Sequence, residues 1–369
     1  MKKPFFIVDA HQDLAWNMLT FGRDYTNPLE KTRILEKGTY IPEVTGNTML
    51  GWDAYQDGNV GVVFSTLFAE PIRKQEGAWD KLVYRDANEA HKLYRDQVDF
   101  YYRWMDKHPD QFRLIRSGVD LREILGLWKK PLPEGAAGRT VGLVLLMEAA
   151  EGIRSLDELL EWWELGLRFI GPAWAGTRYC GGTHEPGPLT RAGQALLESM
   201  ADIGFGLDIS HMDEEAALMA FDRYEGTIIA SHSNAAALLL GVESNRHLSD
   251  RVIHGIVERD GVIGVVPFNN FLLAGWKKGQ ARRELVHIDR LVAQIDYLCQ
   301  LAGDSLHVGI GSDFDGIYGV EETPMEFDSI ADLQKIAPLL LEKGYSEDDI
   351  ANIMSGNWLR QLGKVLPQK

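Results

Sequence analysis

The stretch VDAHQDLAWN, residues 8–17, places His11 and Asp13 two positions apart directly after the apolar run FFIV. Residues two apart on a strand share a face, so an imidazole and a carboxylate project together from a strand end. Both are costly to bury alone. An imidazole nitrogen and a carboxylate oxygen suit a divalent ion such as zinc; the other reading is a polar pair where a strand runs into a loop. The coincidence recurs along the chain. Other short apolar runs end at Glu148, His211, His232 and Asp313. One such residue is a polar cap, whereas a set of them at matching strand ends points to a metal centre. The set holds enough ligands for two ions, and a carboxylate can bridge a pair of metals. The fourth run ends in GPAW and offers no lysine as a bridge. Glu148 is then the natural bridge, with Glu151 a weaker candidate three residues on.

These residues need a scaffold that gathers strand ends. Eight apolar runs supply candidates: 5–11, 61–69, 140–148, 167–174, 204–211, 226–233, 261–268 and 307–314. They are nearly continuous in Val, Ile and Leu, as expected of parallel strands buried on both faces. Helical patterns with polar starts separate them. SLDELLEWWEL carries Ser155 and Glu158 in a capping-box pattern, and Thr190 opens the pattern LTRAGQALLESMAD. The expected fold is α/β, a (β/α)₈ TIM barrel in one domain spanning 1–369. A long excursion follows the first strand at 17–59, and extra C-terminal helices occupy 344–365. Active sites of this fold sit at the C-terminal mouth of the barrel, where all the residues named above fall.

Composition narrows the partners. The chain has 54 acidic and 38 basic residues and a net charge of −16, so a phosphate backbone is not an expected partner. The basic start MKK precedes only four apolar residues before Asp9, whereas a secretory leader needs roughly 7–15. No run approaches the ~20 apolar residues of a membrane helix. Two cysteines, Cys180 and Cys299, fit a reducing compartment better than a disulfide framework. The expectation is a cytoplasmic protein acting on a small molecule, with no nucleic acid and no membrane. The WW pair at 162–163 and the 17–59 excursion could support a homodimer.

The pieces DAHQDL, MEAAEG, GPLTRAGQALLESMADIGFGLDISH, IIASHSNA, SNRHLSD, HVGIGSDFDG and SGNWLR carry a family likeness. Together they make the chain resemble the membrane (renal) dipeptidase family of zinc hydrolases, within the amidohydrolase barrels, in the family's order over nearly the whole length. The resemblance implies two zinc ions, one held by His11 and Asp13 and the other by His211 and His232, with Glu148 bridging both. It implies Asp313 as catalytic acid/base and Arg246 as the arginine that holds a substrate carboxylate. A water between two zincs is acidified toward neutral pH and can attack as hydroxide, with Asp313 passing its proton to the leaving amine. Two places depart from the family. Trp174 stands where the family has a histidine that stabilises the reacting carbonyl, with His184 in the next loop as a candidate replacement. Glu148-Ala149-Ala150-Glu151 stands for the family's EGGH. The expected substrate is a dipeptide. The alternatives are an N-acyl amino acid, a D-residue dipeptide or a cyclic amide. A metal-binding protein without turnover is a third reading, against which Asp313 argues, because a structural site needs no such extra acid.

Overall fold

A computed structural model describes residues 4–132 and 134–369. Met1–Lys3, whose charge entered the leader-peptide test, and Pro133 lie outside the described residues. Eight parallel strands close on themselves: β1 (Ile7–Gln12), β2 (Val60–Leu67), β3 (Val141–Glu148), β4 (Leu167–Gly171), β5 (Gly206–Asp208), β6 (Ile228–Ala230), β7 (Val262–Val265) and β8 (Val308–Ile310). Each pairs with the next, and β8 pairs back onto β1 through Asp9 and Ile310. Every residue of all eight is buried. That burial on both faces is why the runs read as continuous apolar segments. A further short strand, Phe112–Leu114, lies along the start of β3.

All eight expected strands are present, and several are shorter than their apolar runs. β4 stops at Gly171, so Trp174 lies in the loop beyond it. β5 and β6 stop at Asp208 and Ala230, which leaves His211 and His232 just past the ladder. Helices wrap the barrel with the expected cap at Thr190, whose hydroxyl accepts from the Gly193 N–H, and a further cap at Ser249. The capping box expected at Ser155 does not form. Glu158 turns instead to Arg154, accepting from its Nε at 2.7 Å and its backbone N–H at 3.0 Å.

The 17–59 excursion holds three short helices, Leu29–Glu36, Ile41–Thr45 and Trp52–Asp57. At the other end, Asn357–Val365 packs onto the barrel. The Trp358 indole N–H donates to the Ile310 carbonyl at 2.9 Å, and its ring meets Phe64 of β2. Of the WW pair, Trp162 belongs to the core, and the partly buried Trp163 packs on Phe205 beneath the Arg168 guanidinium. Cys180 and Cys299 are both buried and free. Among the described residues no helix is long and apolar enough to cross a membrane.

Candidate metal centre

His11 sits near the end of β1, and Asp13 follows it as the residue before the helix Leu14–Phe21. An aspartate there ordinarily caps the helix. Asp13 makes no such bond; its carboxylate accepts from the Thr66 hydroxyl and lies 3.8 Å from His11 Nε2. Glu148 ends β3 and is shared between two sides. Its Oε2 lies 3.4 Å from His11 Nε2, while its Oε1 lies 2.9 Å from His211 Nε2 and 3.4 Å from His232 Nε2. The His211 and His232 Nε2 atoms are themselves 2.9 Å apart. Ligand-capable atoms of His11, Glu148 and His232 lie within 4.8 Å of one another, and so do those of His11, Asp13 and Asp313. The fold therefore brings all six of these residues together at the barrel mouth. Asp313 stands at ligand distance from His11 and Asp13, so its position is compatible with coordination as well as with proton transfer.

A divalent metal fits this set of groups. His11 Nε2 is buried and has no hydrogen-bond partner, although it faces three carboxylates. Burial alone would depress His11, but Glu148, Asp13 and Asp313 raise it to about 10. Burial and then Glu148 push Asp13 up to about 6, and burial, aided by Asp13 and Glu148, drives Asp313 well above the ordinary carboxylate range. Burial also opposes ionisation of Glu148, but the histidine rings win and hold it well below. Burial and Arg246 lower His211 to about 4, and burial, His11 and Arg246 take His232 well below its usual value. Two imidazoles held neutral beside three crowded carboxylates form a donor set short of positive charge. A dication supplies that charge.

Arg246 is buried beside this cluster and is tied to the strand ends. Its Nη1 donates to the Ser210 carbonyl at 2.9 Å and the Ser233 hydroxyl at 3.0 Å, and its Nη2 donates to the His232 carbonyl at 2.8 Å. Of five guanidinium hydrogens, the Nε–H and one on Nη2 remain. Arg246 lines a cavity of 960 Å³ together with Glu148, His211, His232 and Asp313. Trp174 lines the same cavity, its ring 5.3 Å from Phe68 and 6.2 Å from His211. His184 also faces it from the tip of the hairpin Cys180–Leu189, with positive φ and its N–H on Asn245. Glu151 does not join the cluster. It pairs with Arg178 at 2.9 Å, which removes it as a bridge.

Several contributors escaped the sequence reading. Phe268 and Tyr318 stack at 4.5 Å on the cavity wall, and His247 meets Phe271 edge-on beside Arg246. Thr183 and Ser231 contact the histidines from behind, and Asp208 accepts from the Ser231 hydroxyl. A charged residue inside the apolar run GFGLDISH was a visible signal for Asp208. Aromatic side chains in loops gave none.

Residues 1–367 match the family model described as membrane dipeptidase, Peptidase family M19. A Klebsiella pneumoniae protein described only as lying in the pqqA 5′ region is 31% identical over 240 residues, 62% of this chain and 84% of that one. The dipeptidase aclJ of Aspergillus oryzae is 23% identical over 367 residues, 97% of this chain and 78% of that one. Among solved structures, a metallopeptidase from Rhodobacter sphaeroides, liganded with a phosphinate mimic of L-Ala-D-Ala, superposes with a TM-score of 0.77. Its identity is 21%, with 98% of this chain and 100% of that chain covered.

Proposed function

The chain belongs to the membrane dipeptidase family of metallopeptidases, Peptidase family M19, and from that premise we propose that it is a two-zinc hydrolase cleaving the amide bond of dipeptides. The observation that carries this reading is the division of Glu148, with one oxygen toward His11 and the other toward His211 and His232. His11 and Asp13 would hold one ion, His211 and His232 the other, and Glu148 would bridge them. A zinc pair bound there supplies Lewis acidity at the scissile carbonyl and a water acidified toward neutral pH. Arg246 reads the substrate's terminal carboxylate through its two uncommitted hydrogens, the side-on fork suited to a carboxylate. Asp313, kept protonatable by its crowded site, carries the proton to the leaving amine. The aromatic wall sheds water from the reacting groups.

A narrower substrate choice is favoured by one observation. Trp174 stands in the cavity against Phe68, and its single N–H replaces a more versatile donor. An apolar group lying on that ring, in a D-residue dipeptide or an N-acyl amino acid, fits this wall. The Rhodobacter structure, liganded with its L-Ala-D-Ala mimic, supports L,D substrates as the first to try. The deciding experiment is a hydrolysis panel of L,L- and L,D-dipeptides and N-acyl amino acids with zinc-loaded protein, alongside metal analysis. Turnover of dipeptides with two zincs per chain is expected. A stoichiometry that stays at one in excess zinc removes the two-metal reading, and activity confined to substrates without a free carboxylate removes the role given to Arg246.

A further inference from the structure

Ser231, directly after β6, has one hydroxyl proton and two lone pairs to distribute. Its proton goes to Asp208, with Ser231 Oγ donating to Oδ2 at 2.5 Å. The neighbouring Ser210 hydroxyl also gives its proton to Asp208, to Oδ1 at 2.6 Å. The two serine oxygens lie 3.1 Å apart, but with both protons committed to the carboxylate neither serine donates to the other. Two ring nitrogens remain against Ser231 Oγ: His11 Nδ1 at 3.2 Å and His232 Nδ1 at 2.8 Å. A hydroxyl whose own proton is spent can only accept from them. Both Nδ1 atoms must therefore carry hydrogen, which leaves each Nε2, on the side of Glu148, as the nitrogen whose lone pair would ligate a metal.

Resting on the two-zinc reading above, we propose that Ser231 and Asp208 form one positioning pair that fixes the ligand tautomer of a histidine in each of the two metal sites. One hydroxyl thereby ties the affinities of both ions together. The pair is rigid. Asp208 Oδ1 accepts the Ser231 backbone N–H at 2.9 Å and the Ser210 backbone N–H at 3.1 Å. The Ser231 carbonyl is hemmed in by Gly264 and Gly311, where an added Cβ would come within 1.9 and 1.8 Å of it. The third histidine is served separately: Thr183 Oγ1 lies 2.9 Å from His211 Nδ1. Thr183 is thus a natural one-site control.

The test is a zinc titration of the full-length protein against a competing chelator, for wild type, Ser231→Ala, Asp208→Asn and Thr183→Val. Loss of a histidine's outer partner typically costs about 10–100-fold in metal affinity. Ser231→Ala and Asp208→Asn are expected to weaken both zinc-binding steps by comparable factors in that range, and Thr183→Val only one. Weakening of a single step, or of neither, by Ser231→Ala overturns the proposal. The second readout is the imidazole ¹⁵N–¹H spectrum of histidine-labelled, zinc-loaded protein. Two Nδ1–H resonances are expected to move in Ser231→Ala or in the isosteric Asp208→Asn, and one in Thr183→Val. A spectrum in which His11 or His232 lacks its Nδ1 proton overturns the assignment, whichever variants fold. Wild-type stoichiometry separates the two levels of the argument: a single bound zinc refutes the two-metal reading, while the resonance pattern still decides the roles of Ser231 and Asp208.

Discussion

Arg246 spends three of its five N–H donors on the barrel, gripping the carbonyls beyond β5 and β6 that flank the histidines. A carboxylate reader built this way is also a brace. Arg246→Ala is expected to raise KM for dipeptides more than for their amides, and also to loosen zinc at His211 and His232; steady-state kinetics with metal analysis separates the two. Equal KM changes on both substrate types would argue against carboxylate recognition. Asp313 has two compatible roles, because it lies at ligand distance from His11 and Asp13. As a proton carrier, Asp313→Asn should keep both metals and slow turnover by about 10²–10⁴; loss of metal would make it chiefly a ligand. Trp174 lies in the cavity, so its bulk and its lack of a second donor bear on substrate directly. A missing oxyanion donor costs about 10²–10³ in rate. Trp174→His should raise activity on simple L,L-dipeptides and lower it on the substrate whose apolar group covers the indole. A variant unchanged on both would place the ring outside the reacting geometry.

The element that holds Asp313 is a strained loop. Asp313, Asp315 and Ile317 have φ of 55, 66 and 65°, and non-glycine residues held there typically cost about 1–3 kcal/mol each. The 17–59 excursion offsets that cost. Asp315 accepts from Thr48 Oγ1 at 2.5 Å, Met49 N at 2.8 Å and Tyr25 OH at 3.0 Å, and faces Arg23 at 3.2 Å. The Asn17 amide then joins this loop to the metal cluster by donating to the carbonyls of both Asp13 and Asp315. Asp315→Ala should destabilise the fold by about 3–5 kcal/mol, the usual cost of breaking a buried charge pair, read from urea midpoints. It should lower kcat more than it changes KM, since it displaces Asp313 and leaves the cavity wall intact. A loss under 1 kcal/mol would mean that the loop supports itself. This coupling also explains what was legible. The eight strands were readable because two-sided burial writes itself as apolar runs, and the candidate ligands His11, Asp13, Glu148, His211 and His232 because polar groups interrupt those runs. The excursion was not, because its helices are five to eight residues long and are fixed by bonds to residues nearly 300 positions away. Glu151 and Ser155 misled for a related reason. Their local patterns were sound, but Arg178 and Arg154 claimed the carboxylates on which those patterns depended.

At the scale of the molecule, a chain of net charge −16 places its most crowded carboxylates around a single elevated base. That arrangement gives the metal-free protein a definite pH response. His11 stands near 10 when folded against 6.5 ordinarily. A raised histidine contributes its full stability below 6.5 and loses it as pH climbs through 10. Asp13, raised to about 6, loses its contribution over a lower span, from about 3.8 to 6. The lowered groups act on the acid side. Glu148 contributes above 4.5, and the neutral His211 costs stability only as pH falls below 6.5 toward its value of about 4. Between pH 7 and 9 the slope is downward, with His11, the raised Asp313 and Glu70, itself pushed up to about 9, all contributing: metal-free protein should lose stability as pH rises across this window. A bound dication takes the place of the proton on His11 and removes that residue's share of the slope, because metal ligation requires the deprotonated ring. The gap in melting temperature between zinc-saturated and metal-free protein should widen from pH 7 to pH 9. Calorimetric titration in buffers of different ionisation enthalpy should show release of at least about one proton per chain on zinc uptake at pH 8. In His11→Gln the slope of the metal-free protein should flatten over the same window. An unchanged slope in that variant, or zinc uptake without proton release, would show that His11 is already neutral and that the carboxylates, rather than the imidazole, balance the charge of the empty cluster.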